Sequence, residues 1–362
     1  MSRMTAALHF LVPDGIDDVE RVSGGNVYDR RIGQALRALG LDVRMMRVSA
    51  GGGRDVARAM SALPRDALVL IDGLLAVAAS QVLDAQSTRL RIVVLAHMVA
   101  SALPGIRDRA RTIEREREAL HAARRVIATS EWTRSELIAR ALAEPDRIVV
   151  ARPGTDAAPA ATGSASGGHL LCVGAVAHHK GQDVLVHALA GMADLPGWSC
   201  SIVGSLNADP EFASRTAAAI RSAGLAERIE LMGVLTGRRL ADAYHASDLV
   251  VAPSRAESYG MVVAEALARG IPVVAARVGG VPEAIAGSTA AILTPPNDPV
   301  ALRAVLRQWW EEPPRRAVLK AEAMRSRAAT RTWADSAAIS AAVLGEVRPA
   351  TDAVGSERRR AG

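Results

Sequence analysis

Residues 253–283 read PSRAESYGMVVAEALARGIPVVAARVGGVPE, and they contain the pattern that decides the fold. The apolar run 249–252 directly before them predicts a buried strand that ends in a short loop holding Glu257. A helix is predicted to start near Tyr259 or Gly260, and the apolar run 272–276 predicts the next strand. A strand, a helix and a second strand in succession are typical of βα units in a parallel sheet.

The same alternation of short apolar runs and longer helical segments extends along the whole chain. In the first half, strands are predicted at residues 7–12, 41–48, 67–72, 91–97, 125–130 and 147–152. In the second half, they are predicted at residues 170–175, 198–204, 228–233, 249–253, 272–276 and 290–294. One helix is predicted over residues 26–39, with Tyr28, Ile32, Leu36 and Leu39 on one face. Strands that are apolar throughout predict sheets covered by helices on both faces.

Two domains are expected because 362 residues exceed the size of one ordinary core. Residues 157–168 are small and rich in Gly and Ser, which is typical of an interdomain linker. The predicted fold class is α/β, with two doubly wound Rossmann-like domains facing a cleft at the carboxyl ends of their strands. A helix is predicted over residues 322–344, after a break at Pro313 and Pro314.

The predicted domain boundaries follow from this division. The N-terminal Rossmann-like domain is assigned to residues 1–160, and the C-terminal domain to residues 168–325. Residues 326–346 are assigned to a C-terminal helix that crosses back to the first domain, and residues 347–362 to a disordered tail.

Composition disfavours nucleic acid as a partner. The net charge is +6, but only Lys180 and Lys320 among the 44 basic residues are lysines, and arginines alternate with acidic residues in runs such as 107–118. Aromatic residues make up 3% of the chain, so the stacking that single-stranded nucleic acid requires is missing.

The compartment is predicted to be the cytoplasm. Cys172 and Cys200 are the only cysteines and lie in apolar strand-like runs, which excludes a disulfide framework. The most apolar stretch, residues 67–79, is interrupted by Asp72 and Gly73, so no membrane span is expected. Association with a membrane surface is left open but is not indicated, since the mixed-charge segment 107–125 lacks a large apolar face.

The common phosphate and metal signatures are absent from the sequence. No G-x-G-x-x-G follows the first predicted strand, neither lysine stands in a P-loop, and no Asp-x-Asp occurs. No His or Cys cluster has the spacing of a zinc site. Dehydrogenase, P-loop NTPase and metalloenzyme are therefore disfavoured, and we expect no metal or other cofactor.

The start of the helix after Glu257 is a candidate anion site. Its first N–H groups are unpaired and lie at the positive end of the helix dipole, and Gly260 lets a phosphate approach the backbone. Glu265 follows Glu257 by eight residues, which corresponds to roughly 12 Å along a helix axis. A nucleotide sugar fits this spacing, with its diphosphate between the two carboxylates.

Residues 253–283 resemble the E-x7-E motif of the retaining GT-B glycosyltransferases of family GT4, followed by that family's G-x-P-V-V-A…G-G-x-P-E. Further segments resemble the family in order and place: residues 173–181, 23–26, 94–97, 128–133 and 152–156. Two positions depart from the family's pattern. Ala175 stands where the family has an arginine, and Ser258 stands where it has a glycine.

The resemblance implies retaining, metal-independent transfer of a sugar from a nucleoside-diphosphate sugar to a hydroxyl of a small-molecule, glycan or lipid acceptor. It implies that Glu257, His97 and Lys180 are catalytic. The implied donor-binding residues are Gly24, Gly25, Gly174, Lys180, Gly204, Ser258, Tyr259, Gly260, Met261, Val262 and Glu265.

The resemblance also suggests what each group does. Lys180 and the helix N-terminus would neutralise the leaving diphosphate, with Arg255, His178 or His179 as additional cations. Glu257 would offset positive charge at the anomeric carbon, Glu265 would bind the ribose, and His97 would contact the sugar or the acceptor. Ser258 would cap the helix or bind a phosphate.

Several alternatives remain open at this stage. A catalytically impaired GT-B binding protein is one, because of Ala175 and Ser258, and a GT-B nucleotide-sugar epimerase is another. A glycoside phosphorylase is disfavoured because it needs a pyridoxal lysine. Each candidate also has a structural interpretation: Glu257 as a dipole partner, Glu265 on a solvated helix face, Lys180 in an exposed turn, His97 in the core, Gly24 and Gly25 in a turn.

Tyr244 and three tryptophans are interpreted as packing residues: Trp132, Trp309 and Trp310. The acidic loop 14–20 is predicted to lead into the cleft and to favour a cationic or polyhydroxy acceptor.

Overall fold

The computed structural model describes residues 7–49, 51, 53–103, 106–285 and 287–347. Residues 348–362, nearly all of the predicted tail, lie outside the described residues. Within the described part, the chain forms two parallel six-stranded sheets with the strand orders β2-β1-β3-β4-β5-β6 and β12-β11-β10-β7-β8-β9. All twelve strands lie where apolar runs predict them.

The first sheet is built by residues 8–150. Its strands are β1 (Leu8–Pro13), β2 (Val43–Val48), β3 (Leu68–Asp72), β4 (Arg91–Ala96), β5 (Arg125–Ala128) and β6 (Ile148–Val150). Its helices are α1 (Gly24–Ala38), α2 (Gly53–Ser61), α3 (Gly73–Ala78), α4 (Ser80–Gln86), α5 (Arg109–Ala122) and α6 (Glu131–Ala139). Every residue of β3 is buried, as a central strand covered on both faces requires.

The second sheet is built by residues 169–294. Its strands are β7 (His169–Val173), β8 (Ser199–Val203), β9 (Ile229–Gly233), β10 (Leu249–Ala252), β11 (Val273–Ala276) and β12 (Ala291–Thr294). The helices of this half are α7 (Gln182–Ala190), α8 (Pro210–Ser222), α9 (Gly237–His245), α10 (Met261–Ala268) and α11 (Val281–Ala284). Three helices complete the described chain: α12 (Pro299–Glu311), α13 (Pro313–Ser326) and α14 (Trp333–Val347).

Two helix predictions are corrected by the structure. Helix α1 begins at Gly24, because the Ser23 hydroxyl accepts the N–H of Asn26 at 3.1 Å and caps it there. Gly24 and Gly25 are therefore its first turn rather than a loop. Leu39 lies beyond the helix and is 48% exposed, whereas the other predicted core residues of this face are buried.

The predicted helix over residues 322–344 is in fact parts of α13 and α14, separated at residues 327–332. Pro313 and Pro314 open α13 instead of only ending α12, because proline is tolerated in the first turn, where its missing N–H has no helical partner.

The predicted linker is held against the second domain. The N–H of Ala161 donates to the carbonyl of Arg269 at 2.9 Å, and the N–H of Ser164 donates to buried Asp248 at 3.1 Å. Lys320 donates to the same carboxylate at 2.7 Å. Burial acts to raise the pKa of Asp248, but hydrogen bonds from Lys320 and Ser164 lower it overall.

Helix α14 packs on α1 of the first domain. Trp333 meets the Tyr28 ring edge-to-face at 5.5 Å, and the Tyr28 hydroxyl donates to the carbonyl of Ala151 at 2.8 Å. Glu346 pairs with Arg125 at the start of β5 at 3.0 Å. The last described helix thus covers the first sheet. Throughout the described residues, no helix combines the length and the apolarity that a membrane span requires.

Candidate active site

Loops at the carboxyl ends of the two sheets meet each other. Glu20, beyond the end of β1, accepts from the Asn207 amide at 3.2 Å and from the Ser205 hydroxyl at 3.3 Å, beyond the end of β8. A Cβ placed on Gly24 would lie 3.5 Å from the sulfur of Met261, the first residue of α10. The edge where parallel strands end is where α/β folds bind ligands.

Lys180 and Glu257 form a salt bridge on the second domain's side of this cleft. Lys180 ends a 3-10 turn beyond β7, and Glu257 lies in the loop beyond β10. The Lys180 ammonium donates to Glu257 Oε1 at 2.5 Å, and the Ser254 hydroxyl donates to the same oxygen at 3.0 Å. Both ends of the bridge are partly exposed, so a cation and a carboxylate stand together at the mouth of the site.

Helix α10 begins at Met261, slightly later than the sequence predicts. Its N-cap is Gly260, which has a φ of +96° and makes no side-chain capping bond, so Ser258 does not cap the helix. The N–H groups of Met261 and Val262 have no acceptor among the described residues. Because Glu257 precedes the helix by four residues, the helical rise of roughly 12 Å does not measure its separation from Glu265.

Glycines allow the loops around Glu257 to pack closely. A Cβ on Gly279 would collide with the Glu257 carbonyl oxygen, and one on Gly280 would collide with that of Ser258. Likewise, a Cβ on Gly204, at the end of β8, would collide with the carbonyl oxygen of Gly174, at the end of β7. The Gly-Gly pair before α11 therefore supports the loop that presents Glu257.

Glu265 lies on the inward side of α10. The buried Tyr244 hydroxyl donates to Glu265 Oε2 at 2.8 Å, and the guanidinium of Arg269 lies 4.4 Å from the Tyr244 ring centroid. Burial raises the pKa of Glu265, although Tyr244 and the nearby Arg269 and Arg31 oppose this. Glu265 is half-buried, and Tyr244 both packs in the core and orients it.

Arg255, one of the suggested additional cations, is turned toward Asp183. Its guanidinium makes two hydrogen bonds of 2.8 Å to the Asp183 carboxylate and a further one to Asn297. Burial lowers the pKa of His179, with repulsion from Lys180 acting in the same direction. In this arrangement the positive charge beside Glu257 is that of Lys180.

Across the cleft, His97 follows the end of β4 and lies between two buried carboxylates. Its Nε2 is 2.8 Å from Asp29 Oδ1 and 3.3 Å from Asp72 Oδ2. Burial acts to lower the pKa of His97, but the two carboxylates outweigh it and raise the pKa to about 10. These three groups each bring one ligand atom within 4.8 Å of the others.

Neither carboxylate was predicted from the sequence as a partner of His97. The available signals were an acid ending the apolar run 67–72 and an acid beside Tyr28 on the buried face of α1.

Glu283 ties the second domain to the first. Its carboxylate accepts from the N–H groups of Trp132 at 2.7 Å and Glu131 at 2.9 Å, in the first turn of α6. The Arg152 guanidinium donates to it at 3.0 Å. A carboxylate at a helix N-terminus interacts favourably with the helix dipole. This contact therefore stabilises the association of the two domains. Tyr259 is buried nearby, with Arg152 and Glu283 among the charges around it.

Three acids of loop 14–20 are already engaged by neighbouring groups. Asp17 pairs with Arg47, Asp18 accepts the N–H of Glu20 at 3.0 Å, and Glu20 reaches the second domain. The structure therefore gives no added support to a cationic acceptor.

The second half of the chain matches a known family. Residues 164–326 match the family model described as glycosyl transferases group 1. The chain is 33% identical over 230 residues to D-inositol 3-phosphate glycosyltransferase 1 of Catenulispora acidiphila, covering 58% of this chain and 54% of that protein. Identity is also 33% over 239 residues to the D-inositol 3-phosphate glycosyltransferase of Kineococcus radiotolerans, with the same coverage of 58% and 54%. The chain thus spans about half the length of these relatives.

Solved structures share the fold over nearly the whole chain. Sucrose-phosphate synthase (tll1590) from Thermosynechococcus elongatus superposes with a TM-score of 0.79 at 21% identity, covering 95% of this chain and 99% of that one. Anabaena Alr3699/HepE in complex with UDP-glucose gives 0.76 at 18% identity, covering 94% and 99%. The predicted fold class, two doubly wound Rossmann-like domains of the GT-B type, is confirmed.

Proposed function

We propose that this chain, whose residues 164–326 form a domain of the glycosyl transferases group 1 family, is a hexosyltransferase using a nucleoside-diphosphate sugar. The acceptor is a hydroxyl of a small molecule, glycan or lipid. The observation that carries the proposal is the Lys180–Glu257 bridge at the mouth of the cleft, beside the N-terminus of α10 and opposite His97. The second domain holds the donor, and the first domain holds the acceptor.

The donor diphosphate binds where positive charge and unpaired donors converge. Lys180 leaves Glu257 to neutralise a phosphate, and the N–H groups of Met261 and Val262 donate to the diphosphate. Gly174, Gly204 and Gly260 line this site without side chains, so the phosphates approach the backbone closely. Glu265, oriented by Tyr244, binds the ribose hydroxyls with its remaining oxygen.

Transfer proceeds with retention of the anomeric configuration. The bond between the anomeric carbon and the diphosphate oxygen breaks while the acceptor oxygen bonds to the same face, and the acceptor's proton passes to the departing diphosphate. Glu257 offsets the positive charge that develops on the sugar, and Lys180 offsets the negative charge on the diphosphate. The product's anomeric coupling constant, measured by NMR, tests retention, because an inverted anomer contradicts it.

The reaction proceeds without a metal ion. The expected result is equal turnover in EDTA and in Mg²⁺. Loss of turnover in EDTA, restored by adding a divalent ion, would contradict metal independence.

Thermal unfolding with UDP, GDP, ADP and TDP tests the donor site first. We expect one nucleotide at saturating concentration to raise the melting temperature by about 5 °C, with or without Mg²⁺. The rise should disappear in Lys180→Ala and Glu265→Ala. Lys320→Ala is the matched control: it lowers the starting melting temperature by removing the partner of Asp248 but leaves the nucleotide's increment intact.

The outcomes separate the alternatives. No increment with any nucleotide contradicts the donor site. An increment without turnover toward any acceptor favours the impaired binding protein, and conversion of the nucleotide sugar in the absence of acceptor favours the epimerase. UDP-glucose is the first donor to assay, because Anabaena Alr3699/HepE, which shares this fold, was solved in complex with it.

A further inference from the structure

We infer that Asp29 and Asp72 are positioning residues, which hold the His97 ring through Nε2 so that Nδ1 is the atom that meets the substrate. This inference rests on the proposed function, because it assigns an orientation to a residue of that site. It concerns two carboxylates on separate elements, α1 and the end of β3.

The hydrogen-bond geometry identifies Nε2 as the donor. Asp29 Oδ1 lies 2.8 Å and Asp72 Oδ2 lies 3.3 Å from it, and a carboxylate only accepts when ionised. A proton on Nε2 is therefore shared between two acceptors. The opposite tautomer would place a lone pair against both carboxylates.

Asp72 is fixed from a second direction as well. Its Oδ1 accepts the N–H groups of Leu74 at 2.8 Å and Leu75 at 3.1 Å, which makes Asp72 the N-cap of α3. Its other oxygen faces His97. One side chain thus ties the imidazole to a helix start, and the ring cannot turn without breaking this arrangement.

The burial of the Asp29 carboxylate is unfavourable for the stability of the fold. Its side chain is fully buried, and its Oδ2 has no hydrogen-bond partner among the described residues. A buried carboxylate oxygen without a partner is destabilising. Among the described residues, the hydrogen bond recorded for the Asp29 carboxylate is the one with His97 Nε2 at 2.8 Å, and we take this contact to account for the acid at this position.

The remaining sides of the ring are enclosed by packing. The Tyr28 ring meets it edge-to-face at 5.3 Å, and a Cβ on Gly25 would lie 3.3 Å from its Cδ2. The Thr129 hydroxyl donates a hydrogen bond to the His97 carbonyl oxygen at 3.1 Å. Nδ1 is the ring atom without a protein hydrogen bond among the described residues, and the side chain is 11% exposed.

A substrate oxygen therefore meets Nδ1. The charged and titratable groups facing His97 are Asp29 and Asp72, with Tyr28 packed beside the ring. Because both carboxylates favour the imidazolium, Nδ1 carries a proton and donates it in a hydrogen bond. His97 then acts as a fixed donor to a sugar or acceptor oxygen and does not remove a proton from the acceptor.

Nitrogen-15 NMR of the full chain with labelled histidine tests this orientation without any substrate. The His97 signals are assigned by comparison with His97→Gln. At pH 7.5 we expect Nε2 to be protonated, and the Asp29→Asn and Asp72→Asn variants to change the nitrogen shifts of this residue. A neutral His97 protonated only on Nδ1 overturns the inference.

Kinetics of the same variants give the second measurement. Each is expected to lower kcat by about 10- to 100-fold, since a misplaced group costs that much, while the donor KM changes little. Asp72→Asn is expected to be the milder of the two, because its amide oxygen still caps α3. Asp55→Asn, on the exposed side of α2, is the control and should match the wild type.

Failure of the inference and failure of the proposed function are distinguishable. If no sugar is transferred to any acceptor, the NMR result still decides the orientation of His97. If transfer occurs but both carboxylate variants have the kcat of Asp55→Asn, the positioning role is wrong and the transferase stands. Should Asp29→Asn fail to fold, the wild-type spectrum and Asp72→Asn decide the outcome.

Discussion

The two halves of the site hold their charges differently. On the first domain, His97 lies between two buried carboxylates and is held on several sides. On the second domain, Lys180 and Glu257 form one short bridge that is partly open to solvent. A buried cluster keeps one arrangement because breaking it leaves charges unpaired, whereas in a bridge that is partly open to solvent water can replace one partner at a lower cost.

Under the proposed function, this difference gives the two domains different roles. The first domain presents a group whose orientation is set before any ligand arrives. The second domain presents a cation and an anion that neutralise each other until a diphosphate takes Lys180 and sugar hydroxyls take Glu257. We call the Lys180–Glu257 side of the site the open half, and the side formed by His97, Asp29 and Asp72 the buried half.

The largest expected effect is that of Glu257→Gln. The amide keeps the shape of the side chain but cannot offset positive charge on the sugar, so kcat should fall by about 10²- to 10³-fold. Nucleotide binding should persist, because Lys180 loses its competing partner. Steady-state kinetics and thermal shift measure the two effects, with the exposed Glu230→Gln on β9 as the control. Unchanged kcat in Glu257→Gln would remove this residue from the reaction.

Gly279→Ala tests the support beneath the Glu257 loop. The added methyl would collide with the Glu257 carbonyl oxygen, so the free energy of unfolding should fall by about 3 kcal/mol. Gly224→Ala is the matched control, since Gly224 also has a positive φ but has open space at its Cβ. Gly224→Ala should lower the free energy of unfolding by about 1 kcal/mol. Urea unfolding measures both, and equal losses would show that the close packing at Gly279 is unimportant.

Glu283→Gln weakens the contact between the halves. Glutamine has one oxygen for the three donors that the carboxylate now satisfies, so we expect a loss of about 1.5 kcal/mol in unfolding free energy. The domains should also separate more easily, which small-angle scattering reports as a larger radius of gyration. The exposed Glu227→Gln should change neither quantity. A wild-type radius in Glu283→Gln would mean that other contacts hold the domains.

The pH dependence of the unfolding free energy tests the buried half. The pKa of His97 is raised from 6.5 to about 10. The contribution of the charged His97 ring to the free energy of unfolding is therefore complete below pH 6.5 and is lost as pH rises through 10. The difference in unfolding free energy between wild type and His97→Gln should therefore decline between pH 6.5 and 10. Urea unfolding at several pH values measures it, and a constant difference across this range contradicts the raised pKa.

The open half could be predicted from the sequence to a greater extent than the buried half. Lys180 and Glu257 each follow an apolar run, and a residue just beyond a parallel strand lies at the ligand-binding edge. Asp29 and Asp72 were missed because their partner is 68 and 25 positions away along the chain, and no local pattern records such a contact. The bonds of Glu283 to α6, more than 150 positions away, were missed for the same reason.

The sequence by itself determined the α/β class, the strands and the cleft edge, since these follow from local apolar periodicity and from the geometry of parallel sheets. Only the tertiary structure decided which charges meet: Lys180 with Glu257, Arg255 with Asp183, and His97 with its two carboxylates. The physical reason is that backbone order is set by neighbours in the chain. The partner of a buried charge is set by side chains that come together only when distant segments pack.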